Sequence, residues 1–477
     1  MSSTPTSTSP LLFHTPRDSP NYTVWISALS NISIQYNLSV IAVCLLIMDP
    51  STNDDVTVDA LYPRADIYDQ WLRSSVFAGA IVGQAVMGGL GDILGRGKAM
   101  ILTNAFTFLG ALLCAVASWG SSEDVYGALI GYRFLMGVGI GGKYPLASTI
   151  RAEATSSSEH RATEVAKGFF WQTPGVIAPY LLGWILVAAF GSEKNGTEFK
   201  LVTELQFRIL FGVGAVPSGI VILLTYLQFR GKERERVGSE NPVKVALNHP
   251  ELWRKLAGTG GCWFLYDFVY YGTALNQTSI INSVFGGEDG IYDNCWRNVV
   301  VASMGIPGVV VAILQLEGLG AKRLMSWGFA LVGVSSVLLC LSFKYFPDDD
   351  WLNFGFFCLL LFAVNWGCNV ATYVLPIDTF PSEVRSSFYG LSAALGKVGA
   401  FLGGYFFGPI SKGGGGYSTV YGVCAGLSLV GIAFSGAYIE PFNRNTLWKG
   451  KDEEEDGKRG DDDDDVKEVK RELISSI

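Results

Sequence analysis

Charge is in short supply along this chain. Asp, Glu, Lys and Arg make up 16% of its 477 residues, against about a quarter in soluble domains. That shortage argues against a soluble enzyme with an unusually large core. Histidine is scarcer still, with three scattered copies, and no Cys/His spacing suits zinc. Neither Thr259-Gly260-Gly261 nor the glycine run from Gly413 to Gly416 is followed by a GK[ST] signature, so neither is a phosphate loop. Catalysis has no residues to rest on, and no cofactor, metal or nucleic acid is expected. Of the 8 cysteines, all but Cys295 lie in or beside apolar runs, which excludes a disulfide framework. The opening MSSTPTSTSPLLFHTPRDSPN lacks a basic n-region before a short apolar core, so no cleaved signal peptide is expected.

What the chain has instead is a series of long apolar runs. They lie near 23–48, 70–90, 99–119, 124–150, 163–190, 204–229, 256–284, 297–316, 324–345, 351–378, 386–409 and 416–439. Each approaches the ~20 residues a membrane-spanning helix needs. Only helices and closed barrels satisfy their backbone polar groups in lipid, so the expected fold is an all-α membrane protein of about twelve transmembrane helices. The last 27 or so residues carry the runs Asp452–Asp456 and Asp461–Asp465; such blocks repel themselves and stay solvated. A disordered cytoplasmic tail is expected over 440–477, with partner binding as the alternative, and a disordered N-terminus over 1–22.

Loops alternate in sign. One set holds Arg96 and Lys98, Arg151 and Arg161, Arg230 to Lys255, Lys322, Arg323 and Arg385. The other holds Asp54, Asp55 and Asp59, then Glu288 and Asp289, then Asp348, Asp349 and Asp350. The positive-inside rule makes the basic set cytoplasmic, with both termini inside. The sequon Asn195-Gly196-Thr197 then falls in an outward loop.

The chain also repeats itself. Asp92 to Lys98 is echoed by Glu317 to Arg323, and Arg161 after the fourth span by Arg385 after the tenth. The expected organisation is an N-terminal half over 23–229, a linker over 230–255 and a C-terminal half over 256–439, two six-helix halves as in alternating-access carriers. Pro174, Pro179, Pro217, Pro307 and Pro376 lie inside spans, as packed kinks or as hinges.

Gly88-Gly89-Leu90-Gly91-Asp92, with Gly95, Arg96 and Lys98, resembles the loop between helices 2 and 3 of the major facilitator superfamily. That family usually has a base where Ile93 stands. Arg133, Gly137 and Gly141 on the fourth span resemble it too. A narrower resemblance, to phosphate:proton symporters, covers nearly the whole membrane body. It rests on Gly139 to Leu146, Gly261 to Gln277, Asn365 to Arg385 and Ser392 to Ala400.

Ionisable groups at membrane depth are costly and line solute paths, which singles out Lys143, Asp267 and Lys397. Trp263, Asp267 and Tyr271 share one helix face at i, i+4 and i+8. Asp267, Lys397 and Gln172 each lie about twelve residues beyond a basic cytoplasmic residue, or roughly 17 Å along a helix, close to the bilayer midplane. The resemblance implies that Tyr144, Gln172, Trp263, Asp267, Tyr271 and Lys397 contact phosphate. It further implies a gating set of Asp92, Arg96, Arg133, Glu153, Arg161, Glu317 and Arg385.

Two departures bear on mechanism. Lys143 replaces the family's helix 4 aspartate, and Ile34-Gln35-Tyr36-Asn37 replaces its acidic helix 1 stretch. Lys143 is open to three readings: a substrate ligand, a lock on Asp267, or a side chain snorkelling to the cytoplasmic face. The cavity is expected to be net positive and to work without the family's proton relay, as a facilitator, an exchanger or a carrier coupled to another ion. The expectation is a carrier of inorganic phosphate or a phosphate-like anion, monomeric, in the plasma membrane or else an organelle membrane. A carrier of organic phosphate, sulfate or another organic anion, and a transport-dead nutrient sensor, are the alternatives.

Overall fold

The structure, a computed structural model, describes residues 22–48, 62, 66–155, 161–191, 197–230, 249–285, 290–381 and 384–439. Outside these lie the acidic loop residues Asp54, Asp55, Asp59, Glu288 and Asp289, most of the sequon and of the basic linker, and the acidic tail. The side chains of Asp92 and Glu153 are outside the description as well.

All regular structure among the described residues is helical. Four unbroken spans come first: α1 (Thr23–Met48), α2 (Asp66–Leu94), α3 (Arg96–Val116) and α4 (Ser122–Glu153). The fifth span is broken into α5 (Arg161–Phe169) and α6 (Gln172–Phe190), the sixth into α7 (Thr197–Val213) and α8 (Ala215–Phe229). The second half opens with α9 (Pro250–Leu275) and α10 (Gln277–Val284), then α11 (Ile291–Ser303) and α12 (Gly305–Tyr345), which continues through a break at Gly320 into the ninth span. The tenth span is α13 (Asp350–Asn365) with α14 (Cys368–Thr379), and α15 (Arg385–Ser411) and α16 (Gly416–Tyr438) complete twelve spans.

Local chemistry sets several boundaries. Ser121 and Asp124 form a reciprocal capping box at the start of α4, which satisfies otherwise orphaned N–H groups. Pro250 opens α9, where its missing N–H costs nothing. The two echoed loops turn on the same backbone geometry: Gly95 has φ 88° and ψ 151°, and Gly320 has φ 74° and ψ 155°. Side-chain-bearing residues rarely adopt that conformation, so the sequence repeat is also a structural one.

Nine stretches among the described residues are long and apolar enough to cross a membrane, the stretch Ile291–Tyr345 holding two spans. The spans outside that set are α9–α10 and α15, whose glycines, tyrosines and charges lower their hydropathy. They are also the spans that carry Asp267 and Lys397. α1 is buried nearly all round and forms the centre of the first half. By contrast Leu201, Leu314 and Leu429 stand exposed on the outer surface, and Trp25, Trp119, Trp253 and Trp351 are exposed near span ends, the pattern of a lipid-facing belt with interfacial aromatics.

α15 lies unusually close to α9. A Cβ on Gly399 would fall 2.1 Å from the Phe264 carbonyl oxygen, and one on Gly403 2.3 Å from that of Phe268. Glycine at these two positions lets the backbones touch. Gly399→Ala should therefore lower stability by about 1–3 kcal/mol, read as earlier thermal unfolding in detergent. Gly408→Ala, on the same helix with open space around it, should not lower it.

Candidate functional site

The close approach of α9 and α15 brings two opposite charges together. Lys397 Nζ donates to Asp267 Oδ2 at 2.7 Å, with the side chains 1% and 2% exposed. Neither faces lipid. The Lys397 ammonium also lies over two rings, 4.4 Å from the centroid of Tyr271 and 5.0 Å from that of Tyr144, a cation–π arrangement strengthened by burial. Trp263, one turn before Asp267 on the same helix face, meets the Tyr144 ring edge-on at 6.3 Å.

Neutral groups from the first half close around this pair. Tyr144 and Tyr271 hydroxyls lie 3.3 Å apart. Gln35 Nε2 donates toward Tyr144 Oη and Tyr271 Oη at 3.1 Å each, and toward Gln172 Oε1 at 3.0 Å. The cluster thus joins α1, α4 and α6 to α9 and α15 at a single depth. It brings together Tyr144, Gln172, Trp263, Asp267, Tyr271 and Lys397.

Lys143 stands apart from it. Its ammonium donates to Ser33 Oγ at 2.8 Å and Ser218 Oγ at 2.9 Å, and these hydroxyls are 2.8 Å from each other. The side chain is fully buried between α1, α4 and α8. The geometry corrects the expectation that Lys143 joins the substrate cluster, and it supports neither a lock on Asp267 nor snorkelling. Two hydroxyl acceptors inside the first half hold this ammonium because α8 presents Ser218 there, which spacing along α4 does not reveal. Asn37 Nδ2 donates to the carbonyls of Ser33 and Gly214 at 2.8 and 2.9 Å, fixing α1 against the break in the sixth span.

The gating set is spread along the bundle. Arg133 is fully buried and donates to the carbonyl oxygens of Leu72 at 2.9 Å and Asn37 at 3.4 Å. Its backbone partners place it within the first half rather than at the basic face. Arg385 donates to the Phe380 carbonyl at 3.1 Å, and Arg96 is buried beside the α2–α3 turn. Glu317 is exposed just before the Gly320 break. Asp378, on α14, lies in the electrostatic field of both Arg161 and Arg385.

Sequence reasoning missed Gln35, Asp378 and two seals. On the basic side, the Phe169 and Tyr373 rings stack across the halves, 4.1 Å between centroids and 19° between planes. Tyr389 and Trp263 continue this aromatic floor. On the other side, Arg73 on α2 bonds Asp69 at 2.8 Å and donates to the Leu275 carbonyl where α9 ends. A glutamine in the middle of the apolar α1 was the available signal for Gln35. The i,i+4 spacing of Asp69 and Arg73 was visible, but nothing in it pointed to the second half, since the partner there is the Leu275 backbone carbonyl.

Two helical halves enclosing a buried, mixed polar cluster at mid-depth define a membrane solute carrier of the major facilitator type. The xylose transporter XylE from E. coli, in a partially occluded inward open conformation, superposes with a TM-score of 0.65 at 16% identity, covering 89% of this chain and 99% of that one. A second XylE structure, bound to 6-bromo-6-deoxy-D-glucose, gives 0.68 over 88% and 96%. Residues 23–228 and 253–439 match the sugar (and other) transporter family, and the chain belongs to it. Among its relatives is the inorganic phosphate transporter PT2 of Toxoplasma gondii, 35% identical over 431 residues, 88% of this chain and 72% of that protein. The repressible high-affinity phosphate permease of Neurospora crassa is 27% identical over 70% of this chain and 69% of its own length.

Removing one partner of a buried ion pair leaves the other charge uncompensated. Lys397→Ala should destabilise the protein by about 3–5 kcal/mol. The double substitution Lys397→Met with Asp267→Leu should recover most of that loss. Thermal unfolding of the three proteins in detergent checks it; equal unfolding of single and double variants would show that the pair is not coupled.

Proposed function

We propose that this protein carries inorganic phosphate, or a close phosphate-like anion, across a membrane by alternating access. The observation that carries the reading is Lys397: a buried cation at the seam of the two halves, set over the rings of Tyr144 and Tyr271, whose hydroxyls join Gln35 and Gln172 in one cluster of groups able to hydrogen-bond an oxyanion. The names borne by its relatives point the same way. Two further buried basic side chains, Arg133 and Lys143, hydrogen-bond to carbonyls and hydroxyls rather than to carboxylates. The Arg133 guanidinium adds positive potential to the first half, which favours an anion over a neutral sugar or a cation.

Anion binding would exchange neutral contacts between the halves, Gln35 with Tyr271 and Tyr144 with Tyr271, for contacts to the solute. The Asp267–Lys397 pair sits within the second half and stays with it as the halves rock. With Lys143 and Asn37 where carboxylates would load protons, transport proceeds without a proton relay in the first half. The basic face is the cytoplasmic one by the positive-inside rule, and the plasma membrane is the proposed location.

Purified protein in liposomes should show saturable phosphate uptake, reduced at least about tenfold in Lys397→Gln, which loses a charge-assisted contact. Uptake should change little when a pH gradient is imposed. Placing aspartate at both 143 and 37 should make it respond to that gradient. A wild-type protein already driven steeply by the gradient would refute relay-free transport, and absence of phosphate flux would refute the phosphate reading itself.

A further inference from the structure

The polar ring around Lys397 does not close on itself. Gln35 has two amide hydrogens and three acceptors within 3.0–3.1 Å of its nitrogen: the hydroxyls of Tyr144 and Tyr271 and the carbonyl of Gln172. Its own carbonyl oxygen, Oε1, has no hydrogen-bond partner among the described residues. The same holds for the amide nitrogen of Gln172. Both side chains are almost fully buried, at 2% and 1% exposure. A buried polar atom without a partner is unusual and calls for a reason.

The unpaired atoms sort by role. Gln172 Nε2 is a donor, and the Lys397 ammonium has two N–H groups beyond the one given to Asp267. These suit the bare oxygens of a tetrahedral oxyanion. Gln35 Oε1 can only accept, so it is complementary to an O–H on the solute. Phosphate near neutral pH carries one or two such hydroxyls, and arsenate does too. Sulfate carries none, and placing it here would leave the Gln35 carbonyl buried and unpaired, with a bare oxygen facing it.

Resting on the phosphate reading above, we propose that Gln35 is a specificity-determining residue that accepts a hydrogen bond from the P–OH of protonated phosphate. The carrier thereby selects protonated tetrahedral oxyanions against fully deprotonated ones of the same size. A site built to bond a substrate hydroxyl discriminates strongly against the analogue lacking it. Both phosphate species present near neutral pH carry such an O–H, so this selection needs no proton loaded by a carboxylate at positions 143 and 37.

The test is competition in proteoliposomes, with labelled phosphate as the carried anion and unlabelled arsenate or sulfate as competitor. In wild type, arsenate should compete at concentrations comparable to phosphate, and sulfate should not compete even in tenfold excess. Gln35→Met removes the acceptor at similar volume and should cut the phosphate-over-sulfate preference by about tenfold or more, through the KM for phosphate. Gln35→Glu keeps an acceptor at the same place and should retain the preference. If Gln35→Met lowers phosphate uptake while sulfate still fails to compete, the residue is structural and the proposal fails. Sulfate competing equally with phosphate in wild type would overturn it as well. Wild-type vesicles that carry sulfate or an organic anion but no phosphate would instead bring down the phosphate reading on which it rests.

Discussion

The ion pair between Lys397 and Asp267 is the constraint around which the membrane body is arranged. Two charges removed from water lose several kcal/mol each in solvation, on the order of what a whole domain has to spare. They are tolerable only at hydrogen-bond distance and with their other valences met. That demands a close approach of α9 and α15, hence glycine at 399 and 403, and a lining of tyrosine faces around the ammonium. It also accounts for the modest hydropathy of these two spans, because residues chosen for contact and polarity replace leucine and valine. Both partners belong to the second half. The hydrogen bonds between halves at this depth are neutral ones, which can be exchanged for a solute at low net cost.

The first half solves a different electrostatic problem. Lys143 and Arg133 are as deeply buried as Lys397, but their hydrogen bonds go to serine hydroxyls and backbone carbonyls. Those contacts tie α1 to α4, α8 and α2. The half is thereby held as one body while carrying positive charge behind the solute cluster. Asn37 extends the same network to the break in the sixth span. A carboxylate at either position would cancel that charge and offer a place for a proton.

The sequence made the fold plain because membrane helices advertise themselves by length and apolarity, and because the repeated loop at 92–98 and 317–323 is visible as text. The convergence of Asp267, Lys397 and Gln172 was legible too, since distance along a helix from a charged loop measures depth. What depth does not give is direction around the helix axis. Lys143 lies next to Tyr144 in sequence, yet its side chain runs into the first half where Ser33 and Ser218 receive it. Gln35 sat in a stretch remarkable only for the acids it lacked. Its central place became apparent once α1 was seen to face both α6 and α9. The contact of Arg73 with the second half was illegible for a simpler reason, as its partner there is a main-chain carbonyl at a helix end.

The two ends of the solute path are closed by unlike materials. Toward the basic face stands a stack of aromatic rings, Phe169 on Tyr373; toward the opposite face, a guanidinium rests on a carbonyl. Apolar contacts loosen on cooling, whereas polar ones do not share that heat-capacity signature. Cooling would therefore weaken the aromatic closure toward the basic face more than the guanidinium–carbonyl contact opposite it.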